Sequence, residues 1–169
     1  MKKGKILLIA VLAIALVLTG CSAIANQIGN NIISGIQSEL GASIDSKGGG
    51  ITISTSSGTM QIGGTISWPK NWPSELPKLD GTITAATDVG LDKDGGIMVF
   101  LTASSVDAVK SYAEKYASMG YDKMLETASD GGYYVTYSNS KYYVTISVDD
   151  EKSAVIAVTA NTTGTSSKE

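Results

Sequence analysis

The sequence predicts an α+β fold: a two-layer domain in which one main helix packs on an antiparallel sheet. Two observations predict it. The body of the chain contains one long stretch of helical periodicity, residues 104–120, and that stretch is flanked on both sides by short segments of alternating polarity. All three prolines lie outside these segments, within "ISWPKNWPSELPKLDG" (66–81), where they interrupt no element. The expected order is β-β-α-β-β-β-β, preceded by a small hairpin and by an N-terminal tail that is flexible or helical.

The strands before the helix are "TITAATDV" (82–89) and "GIMVFLTA" (96–103), joined by the turn-rich "GLDKDG". The helix is "SSVDAVKSYAEKYASMG". Ser104 can cap it, with Asp107 three residues on placing a negative charge near the helix N-terminus. Val106, Val109, Ala113, Tyr116 and Ala117 would form its buried face, and Gly120 suits the residue just past its end. Four strands should follow: 121–127, 133–138, 141–148 and 154–160. A two-residue turn at Asn139-Ser140 would set Tyr137 opposite Tyr142, Val135 opposite Val144 and Tyr133 opposite Ile146, all on one face. The last turn, near Asp150, Glu151 and Lys152, needs an odd length to bring Ile156 and Val158 to the same side.

Upstream, "ITIST" and "TMQIGG" alternate around "SSG" (56–58) and read as a hairpin (51–64), with Gly58 serving the turn. "SIDSKGGG" (43–50) reads as a linker. Residues 22–41 carry Ile24, Ile28, Ile32, Ile33, Ile36 and Leu40 at three- and four-residue steps. That is a helical stripe, weakened by Gly29 and Gly35, and a flexible tether is the alternative. Expected divisions are 1–20, a leader; 21–50, tail and linker; 51–64, hairpin; 65–160, the α+β domain; and 161–169, a disordered tail.

The leader fixes an expected address. Lys2, Lys3 and Lys5 precede 13 uninterrupted apolar residues from Ile6 to Leu18. That suits a signal-peptide core and is short of the ~18 apolar residues of a membrane-spanning helix. Leu18, Thr19, Gly20 and Cys21 follow, and Cys21 is the only cysteine. This "LTGC" resembles the lipobox of bacterial lipoproteins. The resemblance implies cleavage between Gly20 and Cys21, and a diacylglyceryl thioether on Cys21. The chain would then sit at the extracytoplasmic face of the cell membrane, held by its fatty chains. Loss of the leader leaves 10 Lys against 16 acidic residues, a net charge of -6, which does not favour lying on an anionic leaflet. A second resemblance covers roughly residues 48–160. The succession "GGGITISTSSGTMQIGG", "WPSELPKLDGTI" and "SVDAVKSYAEKYASMGYD", with its following strands, resembles a group of small bacterial envelope lipoproteins of uncharacterised function. It implies an envelope-exposed domain and carries over no catalytic residue.

Composition excludes much chemistry. There is no His, which removes Ser-His-Asp and Cys-His catalysis and zinc sites built on His and Cys. With no Arg and an acidic balance, the chain is unsuited to nucleic acid. "GGG" at 48–50 is no phosphate loop. Ser-x-x-Lys occurs at 67–70 and 138–141, but in a proline segment and at a hairpin tip rather than at a helix start. Asp88, Asp92 and Asp94, and Asp149, Asp150 and Glu151, read as solvated turns, since neither set has the ligand series of a calcium loop. No cofactor or metal is therefore expected.

The residues suited to binding are aromatic. Trp68 and Trp72 could form a ligand platform or simply pin their segment by packing. Tyr134, Thr136, Tyr143 and Thr145 should share the sheet's outer face, with the two tyrosines diagonal to each other. The expected function is a lipid-anchored, non-enzymatic envelope module that binds an envelope protein or glycan. The alternatives are a hydrolase of envelope material working with carboxylates alone, and a structural lipoprotein that self-associates through residues 24–40.

Overall fold

The computed structural model describes residues 42–47, 49–91, 95–129 and 131–162. The leader, Cys21, the 24–40 stripe, Asp92 and Asp94, and the tail from 163 onward lie outside the described residues. The elements are β1 (Ser43–Lys47), β2 (Gly50–Thr55), β3 (Gly58–Gly63), β4 (Gly81–Asp88), β5 (Gly96–Ala103), α1 (Val106–Ser118), β6 (Asp122–Ser129), β7 (Gly132–Ser138), β8 (Tyr142–Asp149) and β9 (Ser153–Ala160). The strands form one nine-stranded sheet in the order β1-β2-β3-β4-β5-β9-β8-β7-β6, and every neighbouring pair is antiparallel. Two meanders, β1–β5 and β6–β9, are thus joined by the β5–β9 pairing. β5 and β6 run the same way with three strands between them, and the helix makes that crossover.

The two-layer α+β reading holds, with one strand more than the sequence suggests. Residues 43–47 are not linker: they add β1 to the sheet edge, with Ile44 opposite Ile53. Gly49, at φ +78°, makes the turn that the glycine run permits. Nor does the hairpin stand apart, because β3 pairs with β4 over four residue pairs. Gly58 matters less for its own turn than for this junction. A Cβ there would lie 2.4 Å from the Asp88 carbonyl oxygen, so any side chain would push β3 off β4.

Helix α1 begins one residue later than expected. Ser105 is its N-cap, accepting from the Ala108 amide at 3.0 Å, and Ser104 is exposed. Its buried side chains are Val109, Tyr112, Ala113 and Tyr116. Tyr112 replaces the expected Ala117, which is exposed, because the helix meets the sheet over β5, β7 and β8. Tyr116 is the centre of an aromatic cluster: edge-on to Tyr112 and Tyr121 at 5.6 and 5.4 Å, and stacked on Tyr137 at 5.8 Å. The Tyr112 and Tyr116 hydroxyls lie 2.8 Å apart, and Tyr112 also donates to the Pro77 carbonyl.

The β7–β8 register is shifted by two residues from the expected one. Tyr137 faces Val144, Val135 faces Ile146 and Tyr133 faces Val148. The cause is Asn139. Its carboxamide oxygen accepts from the Lys141 and Tyr142 amides, and its own amide donates to the Tyr142 carbonyl. The turn therefore falls at Ser140-Lys141. A shift of two preserves the faces, so Tyr133, Val135, Tyr137, Val144 and Ile146 are buried as a set. The β8–β9 turn does have odd length. It holds three residues, Asp150 to Lys152, closed by Lys152 at φ +68° and by Asp149 accepting from the Ser153 amide.

Candidate functional site

The pairing registers put alternate residues of all nine strands on two faces. On the helix side, β5, β8 and β9 present Ile97, Val99, Leu101, Val144, Ile146, Ile156 and Val158, each at most 2 % exposed. In β1–β3 the polarity reverses. Their helix-side residues are polar, with Asp45, Thr52 and Gln61 in register with Ala86 and Val99. Their apolar residues, Ile44, Ile51, Ile53, Met60 and Ile62, point the other way. The apolar side of the sheet thus changes face between β3 and β4. The helix packs mainly over β5, β7 and β8, so the helix-side face of β1–β3 lies beyond its main contacts and carries hydrophilic groups.

The face away from the helix carries the candidate site. One row crosses the whole sheet from Ile44 through Ile53, Met60, Thr87, Met98, Ala157, Thr145 and Thr136 to Leu125. The adjacent row runs from Ser46 through Ile51, Ile62, Ala85, Phe100, Val155, Ser147 and Tyr134 to Thr127. Neither row holds a charged residue. Among the described residues no element packs on this face, and Met98, Leu125 and Tyr134 are 36 %, 54 % and 38 % exposed. Acidic groups sit at its rim, Asp122 and Asp149, on the ends of β6 and β8. An exposed face usually carries charge for solubility; an open, uncharged one of this extent is suited to contact.

Beside Tyr134 the face has a depression of about 390 Å³, with Thr127, Ser147, Ser153 and Val155 among its lining. The Tyr134 hydroxyl accepts from Thr136 at 3.3 Å, and the Thr136 and Thr145 hydroxyls are 3.4 Å apart. Tyr143 stands on the same face but not diagonal to Tyr134. The register shift sets it opposite Ser138, while Tyr134 lies opposite Ser147, two face positions further along β8. A stacked tyrosine pair is therefore not what this face offers. It offers one exposed phenol among hydroxyls, next to an aliphatic patch.

Trp68 and Trp72 lie elsewhere, in the 64–80 connection on the helix side. Trp72 is 6 % exposed, donates its indole N–H to the Leu76 carbonyl at 3.3 Å, and belongs to the main core with Leu76 and Leu79. Trp68 is half-buried and meets Trp72 edge-on at 4.6 Å. The proline segment forms two tight turns, Trp72 to Pro69 and Leu76 to Pro73, so the indoles pin it to the sheet. Packing accounts for Trp72. The structure does not bring the tryptophans together with Tyr134 and Thr136.

The remaining polar residues have local structural duties. Asp88 accepts from the Asn71 backbone and side chain and from the Gly90 amide. Ser138 is buried and accepts from Asn161. Two glutamates have pKa values held below the ordinary carboxylate range: Glu75, by a backbone hydrogen bond and the hydrogen bond from Tyr142, and Glu126, by Lys123 and Tyr133. Lys123 and Glu126 close to 2.9 Å at the exposed edge strand β6. Among the described residues no three acidic, His or Cys side chains gather to hold a metal, and no helix is long and apolar enough to cross a membrane. Family models, curated proteins and solved structures contain no match to this chain.

Proposed function

We propose that the protein is a lipid-anchored, extracytoplasmic binding module of the cell envelope, non-enzymatic, that holds a neutral envelope component, glycan or protein, against its open sheet face. The single observation that supports the binding role is the pair of uncharged rows crossing nine strands, with Tyr134 exposed beside a hydroxyl-lined depression. The anchor rests on the "LTGC" sequence ending in Cys21. A fatty anchor and a flat contact face complement each other: the lipid confines the module to two dimensions, which raises the effective concentration of any envelope partner within reach.

Binding of the detergent-solubilised full chain to lipid-extracted envelope material tests this reading. The Tyr134→Ala, Tyr143→Ala double variant is expected to bind at least about fivefold more weakly, the effect of losing contacts worth ~1 kcal/mol, while melting as the parent does. Digesting the material with protease beforehand separates a protein partner from a glycan. Equal retention of parent and variant contradicts the proposal.

A further inference from the structure

The polarity reversal between β3 and β4 builds a second concavity, on the helix side. A cleft of about 790 Å³ lies between the polar side of β2–β4 and the start of the 64–80 connection, within the ~300–1,000 Å³ of small-molecule sites. Thr52 and Gln61 come from the strands; Trp68 and Asn71 come from the connection. Asn71 is fixed in place, because Asp88 accepts from both its amide and its carboxamide nitrogen. Its carboxamide oxygen remains available to accept. The Gln61 carboxamide makes no hydrogen bond to another described residue, so it can both donate and accept. Trp68 is held edge-on by Trp72.

We infer that this cleft binds a neutral oligosaccharide. A pyranose has an apolar C–H face, which packs on the electron-rich face of an indole, and a rim of hydroxyls, which pair with carboxamides and hydroxyls. Among the described residues, the only charged ones lining the cleft are Lys70 and Asp88, and three N–H groups already occupy Asp88. A phosphorylated ligand would want a cationic cluster. A peptide adding as a strand would want a free sheet edge, whereas β2, β3 and β4 are each paired on both sides. The inference depends neither on the lipid anchor nor on the open face.

Trp68 and Trp72 are the only tryptophans in the chain, so tryptophan emission comes from Trp68, which lines the cleft, and from Trp72 packed edge-on against it. The test titrates the full chain in detergent with cellohexaose and chitohexaose, the β-1,4-linked hexamers of glucose and of N-acetylglucosamine. A saturable emission change is expected with at least one of them. Gln61→Ala and Asn71→Ala should each raise the half-saturation concentration about five- to tenfold. Gln61→Ala breaks no internal hydrogen bond, so it decides the matter if Asn71→Ala proves unstable. Silence with both sugars at millimolar concentration overturns the inference. Parent-like binding by Gln61→Ala overturns it too.

Discussion

Truncating Tyr116 to alanine is expected to destabilise the domain by about 3–5 kcal/mol, the range for removing a large buried aromatic. The side chain is fully buried between helix and sheet. It touches three other tyrosine rings, two edge-on and one stacked, and aromatic pairs add ~0.5–1.5 kcal/mol each beyond their buried area. Its loss also removes one of the two hydrogen-bond partners of the Tyr112 hydroxyl, leaving the Pro77 carbonyl. Against a typical domain stability of ~5–15 kcal/mol, that leaves a chain near its folding threshold. Tyr116→Phe keeps the ring and removes one hydroxyl, so it should lose no more than ~1–2 kcal/mol. Urea unfolding of the two variants checks both, and similar losses would show that the hydroxyl, not the ring, holds the helix down.

Alkaline pH should unfold this protein more steeply than its composition suggests. Burial holds the Tyr112 and Tyr116 phenols neutral far above the usual tyrosine range, and burial is also the leading cause of the upward shifts of Tyr121, Tyr133, Tyr137 and Tyr142. Below pH ~10 the phenols are protonated in folded and unfolded chains alike, and their stabilising contribution is complete. Above pH ~10 the unfolded chain releases these protons and the folded chain keeps them. The unfolded state then binds fewer protons, so stability falls with rising pH, by up to ~1.4 kcal/mol per pH unit for each phenol held neutral. Tyr112 and Tyr116 alone bring about 2.7 kcal/mol per unit, enough to unfold a domain of ordinary stability within a few pH units. Denaturant melts between pH 9 and 12 should show the fall, and a Tyr112→Phe, Tyr116→Phe variant should show a shallower one. Equal slopes would mean that water reaches these hydroxyls in the folded state.

The helix and eight of the nine strands were legible because each announces its own period: Val109, Ala113 and Tyr116 at helical steps, and Val135, Tyr137, Val144 and Ile146 at alternating ones. The ninth strand was not, since Ser43–Lys47 holds one apolar residue and draws its stability from pairing with β2. Alternation also fixes which residues share a face but not which partner each meets. The side chain of Asn139 moved the β7–β8 turn by one residue and separated Tyr134 from Tyr143 without disturbing the core. The reversal of polarity at β3–β4 was hidden for a related reason. Ile51, Ile53, Met60 and Ile62 alternate as well as any core strand does, and only the pairing of Ile62 with Ala85 reveals that they face away from the helix. Trp68 could be singled out from its sequence neighbours; Gln61, which lines the same cleft, could not, because the two share that cleft only through the placing of the 64–80 connection beside β3.

We propose that this sheet lies outside the cytoplasm on a lipid tether at Cys21, and intact-mass analysis of the native protein extracted from membranes tests that proposal most directly. The expected mass is that of a chain beginning at Cys21 and carrying a diacylglyceryl group, with or without a further acyl chain. A mass that retains Met1, or one that begins at residue 21 with an unmodified thiol, would contradict it.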